Sequence, residues 1–344
     1  MQSDGIPVEL LQLFAQPSEH SILKGFDALL HWAVAEHISD LHLEPLQTTF
    51  RMRIRVDGTL QEVVRLPIRH AGLILSKVKM LAHLDIAEKR QPQDGRFELK
   101  QEGRVVNARI STCPTLFGEK AVLRLLALQD HFLDLQELGM TPGQVAAVEQ
   151  VIASPHGLVM VTGPTGSGKT MTLYALLARL NQVERNLISI EDPIEMVLPG
   201  MNQVQIQEKA GIDFKTILRS LLRQDPDVLM IGEIRDAETA EIAIKSAQTG
   251  HLVLSTLHTQ SALQAVSRLE QLGIPHYLVM ETSRLCIAQR LVKKAGQRGR
   301  TGIFEMVQPM VSTQEYVEGL DLYQAGLLKV QAGVTTADAV RAVI

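Results

Sequence analysis

The stretch LVMVTGPTGSGKTMTLYALLARL (Leu158 to Leu180) decides the fold. Its opening, Leu158 to Gly163, is a short apolar run of strand length, and its close, MTLYALLARL, has the composition and length of a helix. Between them stand Gly163, Pro164, Thr165, Gly166, Ser167, Gly168, Lys169 and Thr170, a glycine-rich phosphate-binding loop in the strand-to-helix setting that such a loop requires. Glycines let backbone N–H groups face phosphate oxygens, and the helix N-terminus adds its dipole. Lys169 is placed to reach the β and γ phosphates, and the Thr170 hydroxyl to bind Mg²⁺. Guanine recognition would call for an Asn-Lys-x-Asp loop, which the sequence lacks, so the expected cofactors are ATP and Mg²⁺.

The rhythm continues downstream. LISIED (Leu187 to Asp192), VLMIGE (Val228 to Glu233) and LVLSTLH (Leu252 to His258) are further short β-rich runs separated by helical segments. That alternation predicts an α/β fold for residues 140–344, a mostly parallel sheet with crossover helices. One helix is bounded by its own chemistry: from about Ala237 to Thr249 it starts after the cap Asp236, carries a Glu241 to Lys245 pair and stops at Gly250.

The first third reads differently. Apolar residues from Ile22 to Ile38 recur at helical spacing, and SDLHLEP (Ser39 to Pro45) then switches to alternation. FRMRIRVDG (Phe50 to Gly58) puts Phe50, Met52, Ile54 and Val56 on one face and Arg51, Arg53 and Arg55 on the other, with Asp57-Gly58 as a hairpin signal. A Leu/Ala-rich helix around Ala71 to Leu84 precedes the strand-like runs GRFEL, RVVNARIST and AVLRLLAL. These predict a smaller α+β domain over 21–128, with residues 1–20 as a tail or short docking helix and 129–139 as a linker.

Composition narrows the function classes. With 344 residues, 45% of them hydrophobic, the chain suits two ordinary domains with real cores. Lys and Arg number 34 against 38 Asp and Glu, so no global charge draws it to nucleic acid or to an anionic membrane. Cys113 and Cys286 form no CxxC pair, which argues for a reducing compartment and against a thiolate zinc site. No apolar run approaches the length that crosses a bilayer.

A phosphate loop binds nucleotide; hydrolysis also needs a group that orients or deprotonates water. Acids at the C-terminal ends of parallel strands face the edge where such sheets hold ligands. Glu191, Asp192 and Glu195 in EDPIE have that placement, and so does Glu233. In DVLMIGEIRD (Asp227 to Asp236), Gly232 stands where a metal-holding Asp is expected, and the acid arrives one residue later. His251 and His258 bracket LVLSTL, seven residues apart and so on opposite faces of an ideal strand; His258 is the candidate for sensing the γ-phosphate. Charge developing on that phosphate calls for a further cation, and Arg53, Arg55, Arg96, Arg109 and Arg124 of the first domain are the candidates.

Together these motifs resemble a known family. GPTGSGKT, EDPIE, DPDVLMIGEIRD and TGHLVLSTLHT occur in the order of the phosphate loop, Asp box, Walker B strand and His box of the secretion ATPases, most like the type II secretion and type IV pilus assembly branch with its competence relatives. SDLHLEP, RIRVDG, QPQDGRF, GEKAVLRLL, AQRLV and GRTGIFE extend the likeness over nearly the whole chain. The resemblance implies a RecA-like ATPase domain behind a PAS-like α+β domain, and it makes Gly232-Glu233 the family pattern rather than a lesion. It implies Glu191 and Glu233 as the two catalytic acids, in either assignment, with Glu191 joining Thr170 at Mg²⁺ and His251 joining His258 at the nucleotide. Arg96 and Arg109, and then Arg53, Arg55 and Arg124, are expected to reach the nucleotide of a neighbouring copy in a hexameric ring.

The implied partners are further copies of the chain and an inner-membrane platform protein, with no nucleic acid. The implied location is the cytoplasm, peripheral at the inner membrane through partners. The two CxxC pairs that many assembly-branch members carry are missing between AQRLV and GRTGI, where Lys293, Lys294, Arg298 and Arg300 form a short basic loop, so no structural zinc is expected. The separate docking domain common in secretion members is not matched ahead of residue 21. Rival readings are a retraction motor, a nucleic-acid motor and a nucleotide-gated scaffold.

Overall fold

The computed structural model describes residues 6–16, 18–36, 38–56, 58–101, 104–126, 134–206, 214–310 and 315–344. The chain divides into two compact units, Met1–Gln129 and Asp130–Ile344.

In the first unit, helices Val8–Ala15 (α1), Glu19–Ala35 (α2) and Ala71–Leu81 (α3) accompany strands Asp40–Pro45 (β1), Thr49–Val56 (β2), Thr59–Pro67 (β3), Gln93–Gln101 (β4), Arg104–Thr115 (β5) and Gly118–Leu126 (β6). The strands form one antiparallel sheet in the order β3-β2-β1-β6-β5-β4. Alternation drives it: Leu41, Leu43, Phe50, Met52, Ile54, Ala121 and Leu123 are all buried with Phe26, Leu29 and Ile74 of the helices in a single core. Val56 pairs with Thr59 across the expected hairpin, whose Asp57 lies outside the described residues. The same holds for residues 129–133 of the expected linker.

Of the two readings of residues 1–20, a tail or a short docking helix, the described part contains a short helix, and that helix packs on its own unit. Val8–Ala15 is helical, and its Leu10 and Phe14, one turn apart, are buried in the same core. Gly25 of α2 makes room, since a Cβ there would come within 3.1 Å of the Phe14 ring. A helix this short holds only through such packing, which no local propensity signals.

Beneath β6 lies a buried ion pair. Lys79 of α3 sits 2.6 Å from Glu119 and also donates to the Glu88 carbonyl, and both side chains are almost fully buried. Lys79→Ala is expected to lower unfolding stability by about 3–5 kcal/mol by stranding the carboxylate, whereas Lys79→Met combined with Glu119→Leu stays within roughly 1 kcal/mol of the parent. Urea denaturation of both variants checks this. Equal losses in the two would assign the stability to the shape of the pair and not to its charge.

The second unit contains helices Pro142–Ile152 (α4), Lys169–Leu180 (α5), Phe214–Leu221 (α6), Ala237–Gln248 (α7), Ala262–Gln271 (α8), His276–Thr282 (α9), Leu322–Gln331 (α10) and Ala337–Arg341 (α11). Its strands are Gly157–Thr162 (β7), Leu187–Glu191 (β8), Asn202–Gln205 (β9), Val228–Ile231 (β10), Leu252–Leu257 (β11), Ser283–Lys293 (β12), Arg300–Met310 (β13) and Glu315–Glu318 (β14). The sheet runs β14-β13-β12-β7-β11-β10-β8-β9, parallel from β12 to β9 and antiparallel at the β12-β13-β14 end. Every residue of β7, β8, β10 and β11 is buried, as expected of strands covered on both faces. The crossovers bring the ends of β7, β11, β10 and β8 to one edge. No helix among the described residues is long and apolar enough to cross a membrane.

Candidate active site

The phosphate loop leaves β7 at Gly163 and becomes α5 at Lys169. Gly163 and Gly168 both have positive φ, 150° and 88°. Side chains there are also excluded by β12: a Cβ on Gly163 would lie 2.6 Å from the Gln289 carbonyl, and one on Gly168 would lie 2.8 Å from Gln289 Nε2. Thr172 of α5 donates to Gln289 Oε1 at 2.7 Å, closing the contact. Arg290, itself buried, binds the Gln289 carbonyl, the Val343 carbonyl and both oxygens of Gln260. AQRLV is thus the wall behind the loop. Its signal in the sequence is a Gln-Arg pair interrupting an apolar strand.

The loop's polar groups fit a polyphosphate. Lys169 Nζ folds back on the Gly163 and Pro164 carbonyls, at 2.8 and 3.1 Å. Ser167 Oγ is buried with no hydrogen-bond partner among the described residues. Phosphate oxygens would satisfy both. Thr170 is half-buried in the first turn of α5, beside them in sequence.

Burial works against the Lys169 charge, Glu233 supports it and Arg290 opposes it, which brings its pKa down to about 8. Phosphate binding needs the protonated amine. Affinity for ATP is therefore expected to weaken as pH rises through about 8, by up to roughly tenfold per pH unit. Titration with a fluorescent ATP analogue across this range checks it, and a flat affinity would show that the amine keeps its proton there.

Glu233 follows Gly232 at the end of β10. His258 Nε2 lies 3.2 Å from its Oε2, and Arg235 pairs with its other oxygen. The strand end is pinned by Thr256 donating to the Gly232 carbonyl at 2.7 Å and by Ile234 N–H on the Thr256 carbonyl. The His258 segment is pinned in turn by Thr162, whose hydroxyl accepts the Thr259 N–H at 2.9 Å. Gly232 itself is a matter of space: a Cβ would lie 3.1 Å from the Ile190 carbonyl of β8.

Glu191, expected to join Thr170 at Mg²⁺, is engaged by other residues. It is only 3% exposed, and its carboxylate accepts from Tyr174 at 2.5 Å, Ser189 at 2.6 Å and Gln203 at 3.1 Å. A place beside Thr170 at Mg²⁺ would require exchanging those bonds. Tyr174 and Gln203 were not legible as site residues, because their partners lie on other elements.

His251 is also corrected. Both histidines fall outside β11, at its opposite ends rather than on opposite faces. His251 N-terminally precedes the strand, its Nδ1 3.0 Å from the Ser246 carbonyl at the end of α7. About 20 Å of strand separates it from the loop edge at roughly 3.3 Å per residue, and its ring meets the end of α7 instead.

In the first unit, all five candidate arginines share the sheet face opposite the core. Arg55, Asp40, Arg124, Arg109 and Arg96 lie in one cross-strand row. Asp40 pairs with Arg124 at 3.0 Å and with Arg55 at 3.7 Å. Arg124 stands directly across from Arg109, and Arg109 from Arg96. Arg53 lies off that row and is held in a two-pronged pair with Glu44 at 2.8 and 2.9 Å. Burial opposes the Glu44 charge, but Arg53, Lys120 and Arg51 outweigh it and bring the pKa down to about 2. Arg53 is therefore committed inside its own sheet face.

Among the described residues, no three His, Cys, Asp or Glu side chains converge as a metal cluster.

A central parallel strand feeding a phosphate loop, with an acid and a histidine at neighbouring strand ends, defines a phosphate-loop nucleotide-binding protein with a RecA-like fold. The chain belongs to the family described as "Type II/IV secretion system protein", whose model matches residues 15–326. It is 51% identical to type II secretion system protein E of Klebsiella pneumoniae over 273 residues, 79% of this chain and 55% of that protein. It is 45% identical to the type II secretion system protein HxcR of Pseudomonas aeruginosa, over 88% of this chain and 69% of that one. With the type IV pilus assembly ATPase PilB of Myxococcus xanthus it shares 48% identity, over 79% of this chain and 48% of that one. The chain thus spans about half the length of two of these relatives. Among solved structures, the Legionella pneumophila ATPase DotB matches with a TM-score of 0.75 at 22% identity, covering 92% of this chain and 94% of that one. The pilus retraction motor PilT with bound ADP matches with a TM-score of 0.67 at 25% identity, covering 92% and 96%.

Proposed function

We propose that the chain hydrolyses ATP to power assembly of a type IV pilus, competence pseudopilus or type II secretion fibre. In this reading it works in the cytoplasm as a hexameric ring, turning or displacing an inner-membrane platform protein. The observation that carries the hydrolytic part is the Glu233–His258 contact at 3.2 Å, in the strand-end position where Glu233 also acts on Lys169.

Lys169, Ser167 and the N–H groups at the start of α5 hold the β and γ phosphates. Thr170 would hold Mg²⁺, which when bound neutralises phosphate charge. Glu233 orients the attacking water and takes up its proton, and His258 reads the γ-phosphate while holding Glu233 in place. Glu191, saturated by three donors, shapes the acidic loop. Arg96, Arg109, Arg124 and Arg55 supply positive charge to the site of a neighbouring copy, which is what their shared row supports.

Assembly is supported by identities of 45–51% to proteins named for type II secretion and type IV pilus assembly. Phosphate release measured against protein concentration, with and without DNA, tests the reading. Specific activity that rises with self-association and ignores DNA supports it. DNA stimulation would instead point to a nucleic-acid motor.

A further inference from the structure

One buried polar network touches neither the phosphate loop nor the Glu233–His258 pair. Tyr174 lies fully buried on α5, the helix that the phosphate loop opens. Its hydroxyl donates to Glu191 Oε2 at 2.5 Å and accepts the N–H groups of Glu195 at 3.1 Å and Met196 at 3.3 Å. Burial and then the neighbouring Glu191 charge push the phenol pKa upward, so the group remains a donor at any working pH. Gln203 closes the far side, donating to Glu191 Oε1 and to the Met196 carbonyl and accepting the Leu198 N–H.

One oxygen on the phosphate-loop helix therefore holds three points of the segment 191–196. That segment in turn abuts the strand end carrying Glu233: Gly232 N–H donates to the Ile190 carbonyl at 2.9 Å, and a Cβ on Gly232 would lie 3.5 Å from Glu191 Cα. The aromatic ring alone would fill the core equally well as Phe. The hydroxyl is what the packing does not require.

We propose that Tyr174 is a positioning residue whose hydroxyl makes the acidic loop 191–196 follow the phosphate-loop helix, so that nucleotide at the loop sets the strand end bearing Glu233. The proposal rests on the reading of the chain as an ATP hydrolase. A rigid aromatic side chain moves with its helix, and three hydrogen bonds on one atom leave the loop little freedom to lag behind.

The test combines kinetics with amide hydrogen exchange on the full chain. Tyr174→Phe is expected to lower kcat at least about tenfold, the low end of what one hydrogen bond to a charged group is worth, with KM for ATP within about twofold because no phosphate contact is lost. The Glu195 and Met196 amides should exchange about tenfold faster, and binding of a non-hydrolysable ATP analogue, which changes their exchange in the parent, should leave them unmoved in the variant. A fluorescent analogue measures nucleotide binding separately. If the parent binds nucleotide and releases phosphate while these amides are indifferent to the analogue, the coupling is overturned and the ATPase reading stands. A variant with parental kcat and parental exchange overturns it too. A parent that binds no nucleotide brings down the ATPase reading and this inference with it. Should the variant fail to fold, the exchange of the parent with and without the analogue decides alone.

Discussion

Glu233→Gln is expected to cut phosphate release by about 10³-fold, within the range that a positioned acid or base contributes, while ATP affinity changes by less than roughly threefold. The substitution keeps the side chain's size and an oxygen that His258 can still meet at about the present 3.2 Å. It removes the charge that orients and deprotonates water. Its two partners, His258 and Arg235, are more than half exposed, so losing the anion between them should shift stability by no more than about 1 kcal/mol. Steady-state phosphate release beside equilibrium binding of an ATP analogue separates the effects. Equal losses of turnover and affinity would move Glu233 from the reaction to binding. Unchanged turnover would assign the chemistry to Glu191 despite its three donors.

Lys169→Ala is expected to weaken ATP binding by about a hundredfold or more, the scale of one or two charge-assisted contacts. The amine is nearly buried and, among the described residues, has the Gly163 and Pro164 carbonyls as its hydrogen-bond acceptors, so nucleotide-free stability should change little; removing a buried charge offsets the lost bonds. The contrast appears in thermal unfolding. ATP at a hundred times the parent's Kd should stabilise the parent by about 2.7 kcal/mol and the variant by no more than about 0.4 kcal/mol. A variant stabilised as much as the parent would mean that the loop's N–H groups hold the phosphates without the lysine.

Legibility in the sequence followed range. Periodicity in runs such as Phe50 to Val56 and Leu158 to Thr162 gave both sheets, because alternation or uniform burial is written in neighbouring residues. The Asp236 cap and the Glu241 to Lys245 pair were likewise local, and both are present at 2.8 and 2.6 Å. Long-range features were not. Leu10 and Phe14 joined the core only because Gly25 lets α1 approach. His251 was drawn to the site by its motif, yet six residues of strand carry it to the opposite edge.

The sequence alone determined which residues can do the chemistry: a phosphate loop between strand and helix, acids at strand ends, and arginines on alternating positions. These depend on backbone geometry within one element, which composition and spacing specify directly. Only the tertiary structure decided how those groups are spent. Glu191 turned out to be saturated by Tyr174 of α5, Ser189 of its own strand and Gln203 of β9, Arg53 was paired with Glu44 of β1, Glu233 was brought to His258, and Gln289 and Tyr174 were recruited as supports. The reason is physical: a side chain's availability depends on what faces it across strands and helices far apart in the chain, and those pairings exist only once the sheet order is made.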